Sequence, residues 1–200
     1  MLRLAILLLM LLPVLADAAV PLQAEPHKRP FLRAVRQVWG LEHPAWLAAQ
    51  VGQESGWRDG LTSTAGAKGI CQFIGPTAFG IENQYPGLAS LARFSPQWCF
   101  WAQSLLMADL YAEFGVGRTR CEGIRFAGSA YNGGPGILRR EAALCAADWP
   151  DCDQRQWSEN VAVKNARAGW AWRENRTYVS RITRAEGDYA AQGWGTAWCP

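Results

Sequence analysis

The chemistry in this chain concentrates in Gln50-Val51-Gly52-Gln53-Glu54-Ser55-Gly56-Trp57, where a carboxylate stands at a helical position suited to an apolar side chain. Leu47 and Val51 lie four apart and Glu54 follows three after Val51, so all three share one helix face. Pro44 suits the first helical position, and Gly56 suits the stop just past the last turn. If that face is the core face, Glu54 points inward, loses water and sits near the negative end of the helix dipole. Both effects disfavour the carboxylate and raise its pKa. An acid still protonated near neutral pH is what general acid catalysis requires. An exposed glutamate at a frayed helix end has the same local sequence, and this stretch alone leaves both readings open.

The elements that must position Glu54 read as helices. Residues 31–39 place Leu32, Val35 and Trp39 at helical spacing after Pro30 and stop at Gly40. The helix carrying Glu54 follows a short connection. Residues 58–69, rich in Gly, Ser, Thr and Ala, read as a loop, and Pro76 can start a short helix. Pro96 opens the longest helical pattern, about 97–114, with Phe100, Trp101, Leu105, Ala108 and Tyr111 as its apolar stripe. A helix over 124–131 is expected to end in a sharp loop at Asn132-Gly133-Gly134-Pro135-Gly136, with helix again over 137–145. Residues 148–158 look irregular and 155–170 carry no decisive pattern. A last helix over 174–191 turns Tyr178, Val179 and Ile182 inward. No repeat and no strand alternation emerges, so the fold class is mainly α, a single domain with little or no sheet.

Composition narrows the setting. Residues 1–19 have a short positive start at Arg3, an apolar run over 4–15 and small residues at Ala16-Asp17-Ala18, the pattern of a secretory signal peptide. Residues 20–30 read as a poorly ordered lead-in, and 31–200 as the functional domain. No later stretch is apolar enough to cross a bilayer and no cysteine lies near the cleavage site, so no membrane anchor is expected. All six cysteines follow residue 70, and in an exported chain an even count favours disulfides. Cys145 and Cys152 are close enough to close a small loop. No C-x-x-C occurs and both histidines, His27 and His43, lie upstream of every cysteine, so no metal is expected. A net charge of +3 without a basic block does not point to nucleic acid. Eleven tryptophans exceed ordinary usage; most suit a core, and one to three suit a groove whose walls pack on sugar faces.

Three stretches then separate the two readings of Glu54. They are Gln53-Glu54-Ser55-Gly56-Trp57 with Ser63-Thr64-Ala65-Gly66-Ala67-Lys68-Gly69-Ile70-Cys71-Gln72; Ala130-Tyr131-Asn132-Gly133-Gly134-Pro135-Gly136; and Glu174-Asn175-Arg176-Thr177-Tyr178-Val179. In this order and spacing the chain resembles the soluble lytic transglycosylase domain family, of lysozyme-like α fold, over about residues 31–186. Two departures stand out. Ile70-Cys71 replaces the usual leucine and methionine before the glutamine, and Gly133 stands where many relatives carry alanine.

The resemblance implies cleavage of the β-1,4 bond between N-acetylmuramic acid and N-acetylglucosamine in peptidoglycan, without water, leaving a 1,6-anhydromuramyl end. Glu54 matches the single catalytic acid and base, with the substrate's acetamido group in place of a second carboxylate, a recognised exception to the two-carboxylate scheme. Ser63 and Gln72 match positions that orient the glutamate or the sugar. Tyr131 and Asn132 match a wall of the cleft, and Tyr178 a tyrosine lying over the acid. Each also has a plain structural reading: a cap, a backbone bond or core. No cofactor is implied. The implied partner is the glycan strand, and the implied setting is the periplasm or cell envelope, with the protein a monomer. Service to an envelope-spanning secretion or conjugation machine is a matter of context on which the residues are silent.

Two alternatives remain at this level. One is a muramidase hydrolysing the same bond, which needs a second carboxylate at roughly 5–9.5 Å; Asp59 and Glu82 are the nearest acids outside the motifs, and neither matches such a position. The other is a non-catalytic peptidoglycan-binding module, which has no need of Glu54.

Overall fold

Residues that stop or start helices set the architecture. The computed structural model describes residues 20–199, so the expected signal peptide over 1–19 lies outside it. Seven α-helices follow in order among these residues: α1 (Lys28–Trp39), α2 (Trp46–Ser55), α3 (Gly75–Gln84), α4 (Pro96–Phe114), α5 (Arg120–Gly133), α6 (Pro135–Ala147) and α7 (Gly169–Ala191). The Ser95 hydroxyl accepts from Trp98 N at 3.3 Å ahead of Pro96, and Thr119 caps α5 through Glu122 N at 3.2 Å. Extended pairing is confined, among the described residues, to isolated bridges, two of them within the loop after α2. The described residues form a mainly α domain without a sheet.

α4 packs on α1 and α5, α2 packs on α7, and α5 also touches α6 and α7. With α1 and α5 both packed on it, α4 is enclosed from two sides. It buries Trp98, Cys99, Phe100, Ala102, Gln103, Ser104, Met107, Leu110 and Phe114. Of the stripe expected to face inward, Trp101, Leu105, Ala108 and Tyr111 are only half-buried. The side of α4 nearest solvent runs through Gln97, Trp101, Leu105, Ala108 and Ala112 and is itself largely apolar, while Gln103 and Ser104 are buried, so apolar and polar positions mislead about which side faces inward. Tryptophans fill the core as expected: Trp46, Trp57, Trp98 and Trp194 are fully buried, whereas Trp149 and Trp170 are largely exposed.

Three boundaries differ from expectation. Residues 20–30 are not a loose lead-in: Leu22–His27 is a 3-10 helix running straight into α1, with Ala24 and Phe31 at 0 % exposure and Lys28 Nζ donating to Gln192 O at 2.6 Å. The run 132–136 is not an extended turn, because α5 continues through Asn132 and Gly133 and breaks at Gly134 alone (φ +87°), with α6 starting at Pro135. The last helix starts at Gly169 and, at 23 residues, is longer than α4.

Disulfides join Cys145 to Cys152, as the spacing suggested, and Cys121 to Cys199. The second ties the tail down, and Thr196 adds main-chain bonds to His43 O and Ala45 N at 2.9 Å each, at the entrance to α2. Cys71 and Cys99 remain buried thiols.

Candidate active site

Glu54 occupies the last turn of α2, on the face that Leu47 and Val51 bury. Gly56 adopts a left-handed conformation (φ +61°) that closes the helix through its N–H to Gly52 O at 2.8 Å. The chain then anchors through Trp57, whose buried indole donates to Tyr189 Oη at 2.8 Å. This fixes the helix end on α7.

Tyr178, buried on α7, donates its phenol proton to Glu54 Oε1 at 2.6 Å. Burial pushes the Glu54 pKa up to about 8; the Tyr178 hydrogen bond opposes that shift, and the negative charge of Glu174 adds to it. The side chain itself keeps partial access to solvent, so the acid is desolvated without being sealed. A group protonated at neutral pH, held by one donor and open on one side, can deliver a proton to a bound ligand and hold the resulting negative charge.

The other residues singled out by sequence fall into two groups. Tyr131 comes to the site: its hydroxyl donates to Cys71 O at 3.1 Å, its ring meets Phe73 edge-on, and burial together with the Glu54 charge raises its pKa. Asn132 stands one step further out, donating to Glu174 Oε1 at 3.0 Å and accepting from Asn175 Nδ2 at 2.7 Å. Asn175 is fully buried and locked by Ser129, through Oγ at 2.8 Å and the carbonyl at 3.0 Å, so the α5–α7 contact fixes where Glu174 points. Ser63 and Gln72 instead spend their polar atoms inside the loop after α2. Ser63 Oγ accepts from Ala67 N at 3.0 Å, and Gln72 Nε2 donates to Gly69 O at 2.8 Å. Among the described residues no hydrogen bond joins either to Glu54.

Three further residues meet the site without having been singled out: Gln50, Gln103 and Glu174. Gln50 lies four before Glu54 and Glu174 four before Tyr178, so helical spacing places each beside a site residue. Nothing in the sequence distinguishes Gln103 from a surface glutamine. Of the acids weighed as partners, Glu82 is taken by Arg93 and by the Trp98 indole at 2.9 Å, and Asp59 accepts from its neighbour Gly60 N at 2.7 Å. Among the described residues no group of three His, Cys, Asp or Glu could hold a metal ion, and no helix is long and apolar enough to cross a membrane.

Comparison with known proteins bears on this arrangement. The family model described as the Transglycosylase SLT domain matches residues 39–147, more than half of the chain and including α2 through α6. Among solved structures, an inactive mutant of the lytic transglycosylase Slt from Pseudomonas aeruginosa is similar, with TM-score 0.56 and 20 % identity over 86 % of this chain and 25 % of that one. The 70 kDa soluble lytic transglycosylase from Escherichia coli is similar with TM-score 0.54 and 21 % identity, over 84 % of this chain and 25 % of its own. At such identities the likeness is one of fold, and this chain spans about a quarter of the length of either structure. A comparison with curated proteins finds no match.

Proposed function

The chain belongs to the transglycosylase SLT domain family, and from that membership we propose that it is a peptidoglycan lytic transglycosylase with Glu54 as its single acid and base. The observation that carries the reading is Glu54 in the last turn of α2, hydrogen-bonded by Tyr178 at 2.6 Å and partly open to solvent, with burial pushing its pKa up to about 8. Glu54 protonates the glycosidic oxygen as the bond between N-acetylmuramic acid and N-acetylglucosamine breaks, releasing the N-acetylglucosamine hydroxyl. The substrate's acetamido group supports the electron-poor anomeric carbon in the interval. Tyr178 stabilises the carboxylate left behind. That carboxylate then takes the proton of the muramic 6-hydroxyl as its oxygen closes onto the anomeric carbon, giving the 1,6-anhydro end and restoring the acid. The substrate class places the working enzyme in the periplasm or cell envelope, the destination of the export signal expected over residues 1–19.

Hydrolysis is the second reading, and one feature favours it: Glu174 is a carboxylate whose charge is felt at Glu54. Its Oε1 is engaged by Asn132, however, which leaves it poorly placed as a nucleophile. Mass spectrometry of muropeptides from digested sacculi separates the two. Anhydromuramyl ends are expected, and reducing ends would overturn the proposal. Glu54→Gln is expected to fold and bind glycan strands while cleaving none; a cleaving variant removes Glu54 from its role.

A further inference from the structure

We infer that Gln50 and Gln103 are positioning residues that fix, through a one-way hydrogen-bond relay, which oxygen of Glu54 carries the catalytic proton. Both side chains are at 0 % exposure, Gln50 on α2 and Gln103 on α4, among Leu47, Val51 and Met107. Burying an amide is costly unless its bonds are met, so two of them beside the site call for a physical reason.

Their orientation is not free. Leu47 O can only accept, so the group facing it from Gln103 at 3.1 Å must be the amide nitrogen. The same nitrogen lies 2.7 Å from Gln50, so Gln50 must present its oxygen there. The Gln50 nitrogen is thereby turned to Tyr178 Oη at 2.9 Å, with Met107 Sδ at 3.7 Å as its other contact. Cys71 Sγ meets the remaining Gln103 oxygen at 3.7 Å. The amide assignments thus follow from one main-chain carbonyl.

Tyr178 has a single proton. Because its oxygen already accepts from Gln50, that proton goes to Glu54 Oε1, and Oε1 is held as an acceptor. In the protonated acid the hydrogen therefore sits on Oε2, which has no hydrogen-bond partner among the described residues and is the oxygen left for a substrate. Each donor in the chain also polarises the next, strengthening the hold on the carboxylate after proton transfer.

The titratable groups facing Glu54 are Tyr178 and Glu174 from α7, Tyr131 from α5 and Cys71 from the loop before α3, with Cys99 of α4 hydrogen-bonded to Cys71 behind it; α4 otherwise presents the neutral Gln103 and Met107. Burial holds the Cys71 thiol and both phenols neutral through the working range, so Glu54 titrates against the charge of Glu174; the hydrogen bond to Cys71 shifts the Cys99 thiol down, one residue further from the acid.

The inference rests on Glu54 being the acid proposed above, and the test keeps the two apart. Gln50→Met and Gln103→Met retain side-chain length and remove the amides. Each is expected to lower kcat about tenfold with little change in KM, and to move the alkaline limb of the pH profile up by about half a unit, because Tyr178 becomes a weaker donor to the carboxylate. The double variant is expected to be no worse than the poorer single one, the mark of groups acting in series. Loss of activity with an unmoved limb, or additive losses, would overturn the relay. In the unaltered protein, the side-chain NH2 resonances of Gln50 and Gln103 should shift through the Glu54 titration while that of Gln156 stays flat. Flat Gln50 resonances also overturn it, whether or not the variants fold. An inactive Glu54→Gln alongside an unmoved Gln50→Met profile discards the relay alone, whereas an active Glu54→Gln discards the acid itself.

Discussion

Glu54 has a pKa near 8 because burial strips water from its carboxylate more effectively than Tyr178 replaces it. The same imbalance acts on stability. With the folded value raised above the unfolded one of 4.5, the native state binds more protons between the two. The contribution is fully present below about pH 4.5 and is lost as pH rises through the folded value. Glu54→Gln keeps an acceptor for Tyr178 and carries no charge, so it should match the wild type near pH 4 and exceed it near pH 8. The expected gain is about 2 kcal/mol after discounting for residual solvent, or roughly 5 °C in melting temperature. Calorimetry of both proteins across that range checks it, and a constant difference would mean the burial of Glu54 has been misread. The inward face of Glu54 was legible from its spacing to Leu47 and Val51 on one helix, while its chemistry was expected only from the three motifs taken together. Tyr178 was legible only through a motif, since 124 residues separate it from its partner. Gln50 was legible only as a neighbour of Glu54 by helical spacing, and Gln103 not at all: a buried amide looks like a surface amide until the helices that enclose it are known.

At the junction of α5 and α6, a run of turn-forming residues conceals a packing requirement. Glu141 is fully buried on α6 and takes two bonds from Arg167 at 3.0 Å each and one from Arg176 at 2.8 Å. Arg167 lies directly against Gly133, where an added Cβ would collide with its guanidinium and stand 2.9 Å from Asn175 Nδ2. Because Arg167 is pinned at both ends of the Glu141 carboxylate, it cannot swing aside cheaply. Gly133→Ala should therefore cost about 1–3 kcal/mol despite being a helix-favouring change. Gly136→Ala, three residues on and with open space around it, should be neutral or slightly stabilising. Urea unfolding of the pair provides the comparison, and equal midpoints would refute the clash. This accounts for the glycine at position 133. It also explains why residues 132–136 read as a loop, since glycine in a sequence signals freedom and space alike, and only Gly134 uses the freedom. Helix starts at Pro96 and near Pro76 were readable because proline acts locally. The docking of residues 22–27 was not, since it depends on contacts such as that of His27 with Trp57, 6.2 Å between ring centroids.

Across the whole molecule, the carboxyl-terminal tail supports the entrance to the helix that carries the acid. Thr196 bonds to His43 and Ala45 ahead of α2, Glu186 accepts from Trp198 N and Cys199 N at 2.9 and 3.0 Å, and Cys199 is bridged to Cys121. The two disulfides close very different loops, with sequence separations of 78 and 7. On the chain-entropy model, removing the first should cost about 4.5 kcal/mol and removing the second about 2.5 kcal/mol. Cys121→Ser with Cys199→Ser should therefore unfold at lower denaturant than Cys145→Ser with Cys152→Ser, and should lose lytic activity earlier on heating because α2 loosens with the tail. Thiol titration tests the cysteine inventory on which this comparison depends. Burial raises the Cys71 thiol well above its usual range, and Cys99 is enclosed beside it. The native protein should release no thiol to an aromatic disulfide reagent and the denatured protein two. A count of zero after denaturation would mean that Cys71 and Cys99 are also bridged. The loop carrying Gln72 would then be fastened covalently to α4, and the ranking of the other two disulfides would have to be measured against a third.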